Sequence, residues 1–140
     1  MRPIPDEIQA LGTQVQLLGL EAAKLAPPDV DQIFTSYLSA QTSGQRALGL
    51  MRDLAETRAA HYVPVWLTCH TEELARRMTL PERRQRAKMR DPDHLRDLLS
   101  ERGVMPALPY AMQIDTATLS PADAALLIAA HAGALFLAER

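Results

Sequence analysis

Apolar residues at Leu11, Val15, Leu18 and Ala22 recur at helical spacing and predict a helix over 5–25. Pro27-Pro28-Asp29 cannot continue it and marks its end. The short run Gln32-Ile33-Phe34-Thr35-Ser36 predicts a buried strand. Helical periodicity returns over 42–60, with Ala47, Leu50, Met51, Leu54 and Ala55 as the inward stripe. Val63-Pro64-Val65-Trp66-Leu67-Thr68 is the strongest strand signal: short, β-rich and continuously apolar, as strands covered on both faces are. Its proline stands near the start, where a missing N–H is tolerated, and Trp66 sits mid-strand, as a core residue would.

Thr71 reads as the cap of a further helix, whose first turn carries Glu72 and Glu73 beside the positive helix end. Thr79-Leu80-Pro81-Glu82 has capping-box spacing. Asp91-Pro92 reads as an N-cap with proline at the first helical position, and Ser120-Pro121 repeats that signal with Asp123 three residues after the serine. Between them, residues 111–116 predict a third strand. Strands alternating with helices imply an α/β fold, a three-layer α/β/α domain with a mainly parallel sheet. The connections at 26–29 and 103–109 are too short to separate domains, so residues 1–140 read as one.

The apolar stretch 124–138 holds His131 and is about 15 residues long, where a bilayer needs roughly 20, so it reads as a buried helix. The first nine residues lack a basic stretch followed by an apolar run, which together with the single cysteine, Cys69, leads to the expectation of a cytoplasmic protein. One cysteine excludes an internal disulfide and a Cys-rich metal site. His61, His70, His94 and His131 have no metal-ligand spacing, so no metal site is expected.

Charge changes the picture. The net charge is −2, which recruits neither nucleic acid nor an anionic membrane. Yet Arg76, Arg77, Arg83, Arg84, Arg86, Lys88 and Arg90 crowd into 76–90 against one acid, Glu82, a local charge of +6. Exposed helices usually mix signs, because like charges one turn apart repel. Such a concentration points to a polyanionic ligand, and the planar arginine fork binds phosphate oxygens in pairs. The segment has no aromatic residue on which bases could stack, so a compact triphosphate suits it better than nucleic acid.

The series Tyr62 to Cys69, Glu72-Glu73-Leu74-Ala75-Arg76-Arg77, Pro81-Glu82-Arg83-Arg84, Lys88-Met89-Arg90-Asp91-Pro92 and Ile114-Asp115-Thr116 resembles small P-loop kinases of the shikimate-kinase-like and chloramphenicol-phosphotransferase-like kind. The likeness covers roughly residues 33–131. It implies an ATP-dependent phosphotransferase acting on a small hydroxyl-bearing molecule, with Mg²⁺ carried alongside ATP. Residues 76–92 would be its basic lid. Arg83 and Arg84 would reach the transferring phosphate and act in catalysis, an arginine near the adenine would fall on Arg76 or Arg77, both on the nucleotide, and Arg86 and Lys88 would add phosphate contacts. Asp115 and Thr116 would border the adenine.

The sequence departs from that family where a Gly-x-x-x-x-Gly-Lys-Ser/Thr loop should stand: Gly12 and Gly19 sit in a helical pattern without the lysine. The expectation is therefore a P-loop NTPase-like fold that is N-terminally incomplete, either part of a longer protein or a natural remnant, and inefficient in phosphoryl transfer by itself. Two rivals remain. A degraded kinase fold could hold a phosphorylated ligand or an acidic partner without catalysis, and the open edge of a truncated sheet could pair with a second copy.

Overall fold

Two short runs from the sequence meet in space. Val65–Thr68 (β1) and Met112–Asp115 (β2) pair in parallel, with Val65 opposite Met112 and Thr68 opposite Asp115. The computed structural model describes residues 6–81 and 89–138, and among them the architecture is mixed α/β, five helices and this two-stranded sheet. Parallel strands cannot be joined by a tight turn, and the crossover contains α3 (Thr71–Met78) and α4 (Pro92–Arg102). Helices α1 (Asp6–Lys24) and α2 (Thr42–Thr57) precede the sheet, and α5 (Pro121–Ala138) follows it.

The ladder runs past the strand ends. The Met112 amide donates to the Pro64 carbonyl (3.0 Å), so the proline contributes the one backbone group it has. At the other end the Thr116 amide donates to the Thr68 carbonyl (2.9 Å). Ile114 is buried in the middle of β2, whereas Leu67 on β1 is 60% exposed and Trp66 half-buried. The strand read as covered on both faces is thus only half-covered on each at its start, at Val65 and Trp66, and exposed at its end. Trp66 still ties in a loop: its indole N–H donates to the carbonyl of buried Met105 (3.1 Å).

Three expectations about whole segments need correction, besides the covering of β1. Residues 32–36 form no strand, and Ile33 is 91% exposed. An apolar β-rich run becomes a strand only beside a partner, and the backbone pairing nearby goes elsewhere: Met105 donates to Leu38 (2.9 Å) and Ala40 to Arg102 (3.1 Å). The stripe Leu11, Val15, Leu18 and Ala22 turns outward, while Leu20 is the α1 residue that reaches the core. Finally, α5 is not a buried helix. Ala124 is buried, but Leu126 and Leu137 are each 70% exposed.

Local signals fared better. Asp91 caps α4, its carboxylate accepting from the amides of Asp93 (3.0 Å) and His94 (3.2 Å), with Pro92 at the first position. Ser120 and Asp123 form a reciprocal cap on α5: Oγ accepts from the Asp123 amide (3.1 Å) and donates to its carboxylate (2.6 Å). Thr71 proves to be the first helical residue, with His70 at the N-cap of α3. Thr79 ends α3 instead of opening a helix, its hydroxyl donating to the Arg76 carbonyl (2.8 Å). The α2 stripe is inward, with Leu54 buried and Ala47, Leu50, Met51 and Ala55 half-buried. At the start of α2 the chain comes so close to itself that a Cβ on Gly44 would stand 2.1 Å from the Ser39 carbonyl oxygen.

Candidate functional site

The carboxyl ends of β1 and β2 lie side by side, because the strands are parallel and in register. In an open parallel sheet this is the edge outside which ligands bind. Here it presents Thr68, Asp115 and Thr116. The Thr116 hydroxyl donates to the Thr68 carbonyl (3.0 Å), and the Asp115 carboxylate accepts from the Ala117 amide (2.9 Å), folding the chain into a tight turn after β2. Both residues named from the resemblance therefore stand at the strand ends.

Arg77 reaches this edge from the last turn of α3. Its guanidinium donates to the Thr116 carbonyl (2.6 Å) and to the Thr116 hydroxyl (3.3 Å). The same side chain donates to Glu73 (2.7 Å). Arg76 holds Glu73 in a two-point pair, Nε to Oε2 at 2.7 Å and Nη2 to Oε1 at 2.8 Å. One carboxylate thus anchors two neighbouring arginines. Their hydrogen bonds, Arg76 first, pull the Glu73 carboxyl down to about 2, and the Arg76 guanidinium is pushed further up by the same contact.

The two arginines do not share an environment. Arg77 is about two-thirds covered, and all three of its nitrogens donate within the frame that joins α3 to the turn after β2. Arg76 keeps 62% of its side chain exposed. It lines an open cleft of about 390 Å³ with Glu72, Thr79, Asp93 and Arg96. Across that cleft Arg96 of α4 grips Glu72 of α3 at two points (2.7 and 3.0 Å) and Asp93 at 2.8 Å. The Glu72 carboxyl is lowered by its hydrogen bonds to Arg96. Of these ion pairs, Arg96–Glu72 joins α4 to α3.

Arg83, Arg84, Arg86 and Lys88, and with them Glu82 of the expected capping box, lie outside the described residues. Within them, the basic cluster is less unbalanced than its sequence implied, since Arg76 and Arg77 have their counter-charge in Glu73. The sequence held that signal: an acid three and four residues before the two arginines is helical pairing distance. No such signal pointed to Glu72 and Arg96, which are 24 residues apart.

Among the described residues no group of three or more His, Cys, Asp or Glu side chains could hold a metal ion, and no helix is long and apolar enough to cross a membrane. Comparison of the chain with protein-family models, with curated proteins and with solved structures finds no match.

Proposed function

We propose that this chain is the lid-bearing, adenine-side part of a small-molecule kinase of the P-loop type, its two parallel strands belonging to a three-layer α/β/α sandwich. One observation carries the reading: Arg77 fastens the end of α3 to the turn after β2, so the basic segment starts from the carboxyl edge of a parallel pair. Phosphoryl transfer asks little covalent help of a protein; positioning and charge neutralisation do most of the work. In this reading Arg77 and Thr116 frame the adenine side, and Arg76 lies toward the phosphates. Arg83 and Arg84 would serve the transferring group, and Arg86 and Lys88 would add phosphate contacts. ATP enters as a substrate with Mg²⁺ on its phosphates. The described residues bring no three His, Cys, Asp or Glu side chains together around such an ion.

The test is titration calorimetry of Mg-ATP into the 140-residue chain at low salt. The expected result is saturable binding with a Kd on the order of 1 mM, lost in an Arg83→Ala, Arg84→Ala double variant. Heat that never saturates, or binding indifferent to the double variant, removes the kinase reading. A second reading, a phosphate-binding module without catalysis, draws on the missing Gly-x-x-x-x-Gly-Lys sequence. It predicts equal binding of ATP and of a non-nucleotide triphosphate, with no phosphate released.

A further inference from the structure

Helix α1 has two apolar faces. One packs on α2 and buries Leu20. The other meets solvent, with Ile8 57%, Leu11 58%, Val15 69% and Leu18 69% exposed, and Leu25, the first residue past the helix, 87% exposed. Together with exposed Ala22, these positions follow one another at steps of 3, 4, 3, 4 and 3 residues. That is the narrow seam of a coiled coil rather than the broad stripe of a helix laid on a core. In heptad terms Ile8, Val15 and Ala22 take the a positions and Leu11 and Leu18 the d positions within the helix, with Leu25 next in the series just past its end. Branched residues at a with leucine at d favour two parallel strands.

We propose that α1 pairs with the α1 of a second copy of this chain as a parallel, in-register two-helix seam. The flanks fit an identical partner. In such a pair each g position faces the next e position of the other helix, so Glu7 meets Gly12 and Gln14 meets Gly19, and no like charges are opposed. A Cβ added at Gly12 or Gly19 would touch nothing within 4 Å, which leaves room for the second backbone. A membrane surface is a poorer occupant. Helices that lie on bilayers carry lysine and arginine on their polar face, whereas α1 carries Glu7 and Glu21, with Lys24 bound to Glu21 at 2.7 Å.

Sedimentation equilibrium of the 140-residue chain should return a monomer–dimer equilibrium. Leu18→Asp should raise the dimer dissociation constant at least about 100-fold by placing a charge in the seam, with the circular dichroism of the monomer unchanged. Cysteines test the direction: in a Cys69→Ser background, Leu11→Cys and Leu18→Cys should each give a disulfide-linked dimer on mild oxidation. A clean monomer at high concentration overturns the proposal, as does a dimer indifferent to Leu18→Asp. Failure of both cysteine variants to cross-link overturns the parallel register even if Leu18→Asp unfolds the chain.

Discussion

Arg58 does more for the fold than its place at the end of α2 suggests. Its guanidinium donates to four carbonyls, those of Ala23 (2.8 Å), Ala26 (2.7 Å), Pro27 (2.9 Å) and Val30 (3.2 Å). The end of a helix leaves carbonyls without partners, and here one side chain from the next helix satisfies the end of α1 and the turn beyond it. Arg58→Ala should cost about 1–3 kcal/mol, read as a lower urea midpoint with an unchanged slope. Arg58→Lys should recover only part of that, because an ammonium has no planar fork to span four acceptors. The next residue carries a different burden. Ala59 has φ +50°, and its amide donates to Glu56 (3.1 Å) while that of Ala60 donates to Ala55 (2.9 Å). This is a Schellman end with alanine in the left-handed position that glycine normally fills. Ala59→Gly should therefore stabilise the chain by about 1 kcal/mol, raising the melting temperature by about 3 °C. A lower melting temperature would mean that the Cβ makes a contact worth more than the strain.

At the scale of elements, α3 is held by acids that titrate. The Glu73 carboxyl falls from its ordinary 4.5 to about 2. A group lowered in the folded state stabilises fully above its unfolded value and loses that contribution as pH falls through the folded one. Glu73→Gln should therefore melt earlier than the parent at pH 7, and the gap should close between about pH 4.5 and pH 2. Since the pair is partly exposed, added salt should narrow it too. A gap independent of pH would show that glutamine fails for reasons of packing. The same helix illustrates what a sequence discloses. Contacts within one helical turn were legible in it: the Asp91 and Ser120 caps, the ends of the parallel strands, and in principle Glu73 with its arginines. The Arg96–Glu72 grip, the four-carbonyl hold of Arg58 and the missing ladder beside Ile33 depend on which distant segment arrives, and no local pattern encodes that. Of the site, Arg77, Asp115 and Thr116 stand at the strand ends, but Arg77 is drawn into bonds with Glu73 and Thr116.

For the molecule as a whole, periodicity announced the helices but not which of their faces would be covered. The α1 seam and the α5 leucines are as apolar as a core, yet both meet solvent. This makes stability uneven along the chain. A helix of 18 residues such as α5 is marginal in water unless packing supports it, and among its described side chains only Ala124 is buried, with Ile128, His131, Ala132 and Leu135 half-buried. The strand pair is better placed, with Ile114 buried and the ladder extended at both ends by Met112 to Pro64 and Thr116 to Thr68. Amide hydrogen exchange should separate these regimes, since it reads local opening element by element. Amides over 126–137 should exchange at least about 100-fold faster than those of Ile114 and Thr116, whatever the protein concentration. Amides of α1 should behave differently, slowing as concentration rises, because a seam between two copies protects only when it forms. Slow exchange in α5 at low concentration would mean that its leucines are covered in solution. Concentration-independent exchange in α1 would leave its heptad pattern without a partner.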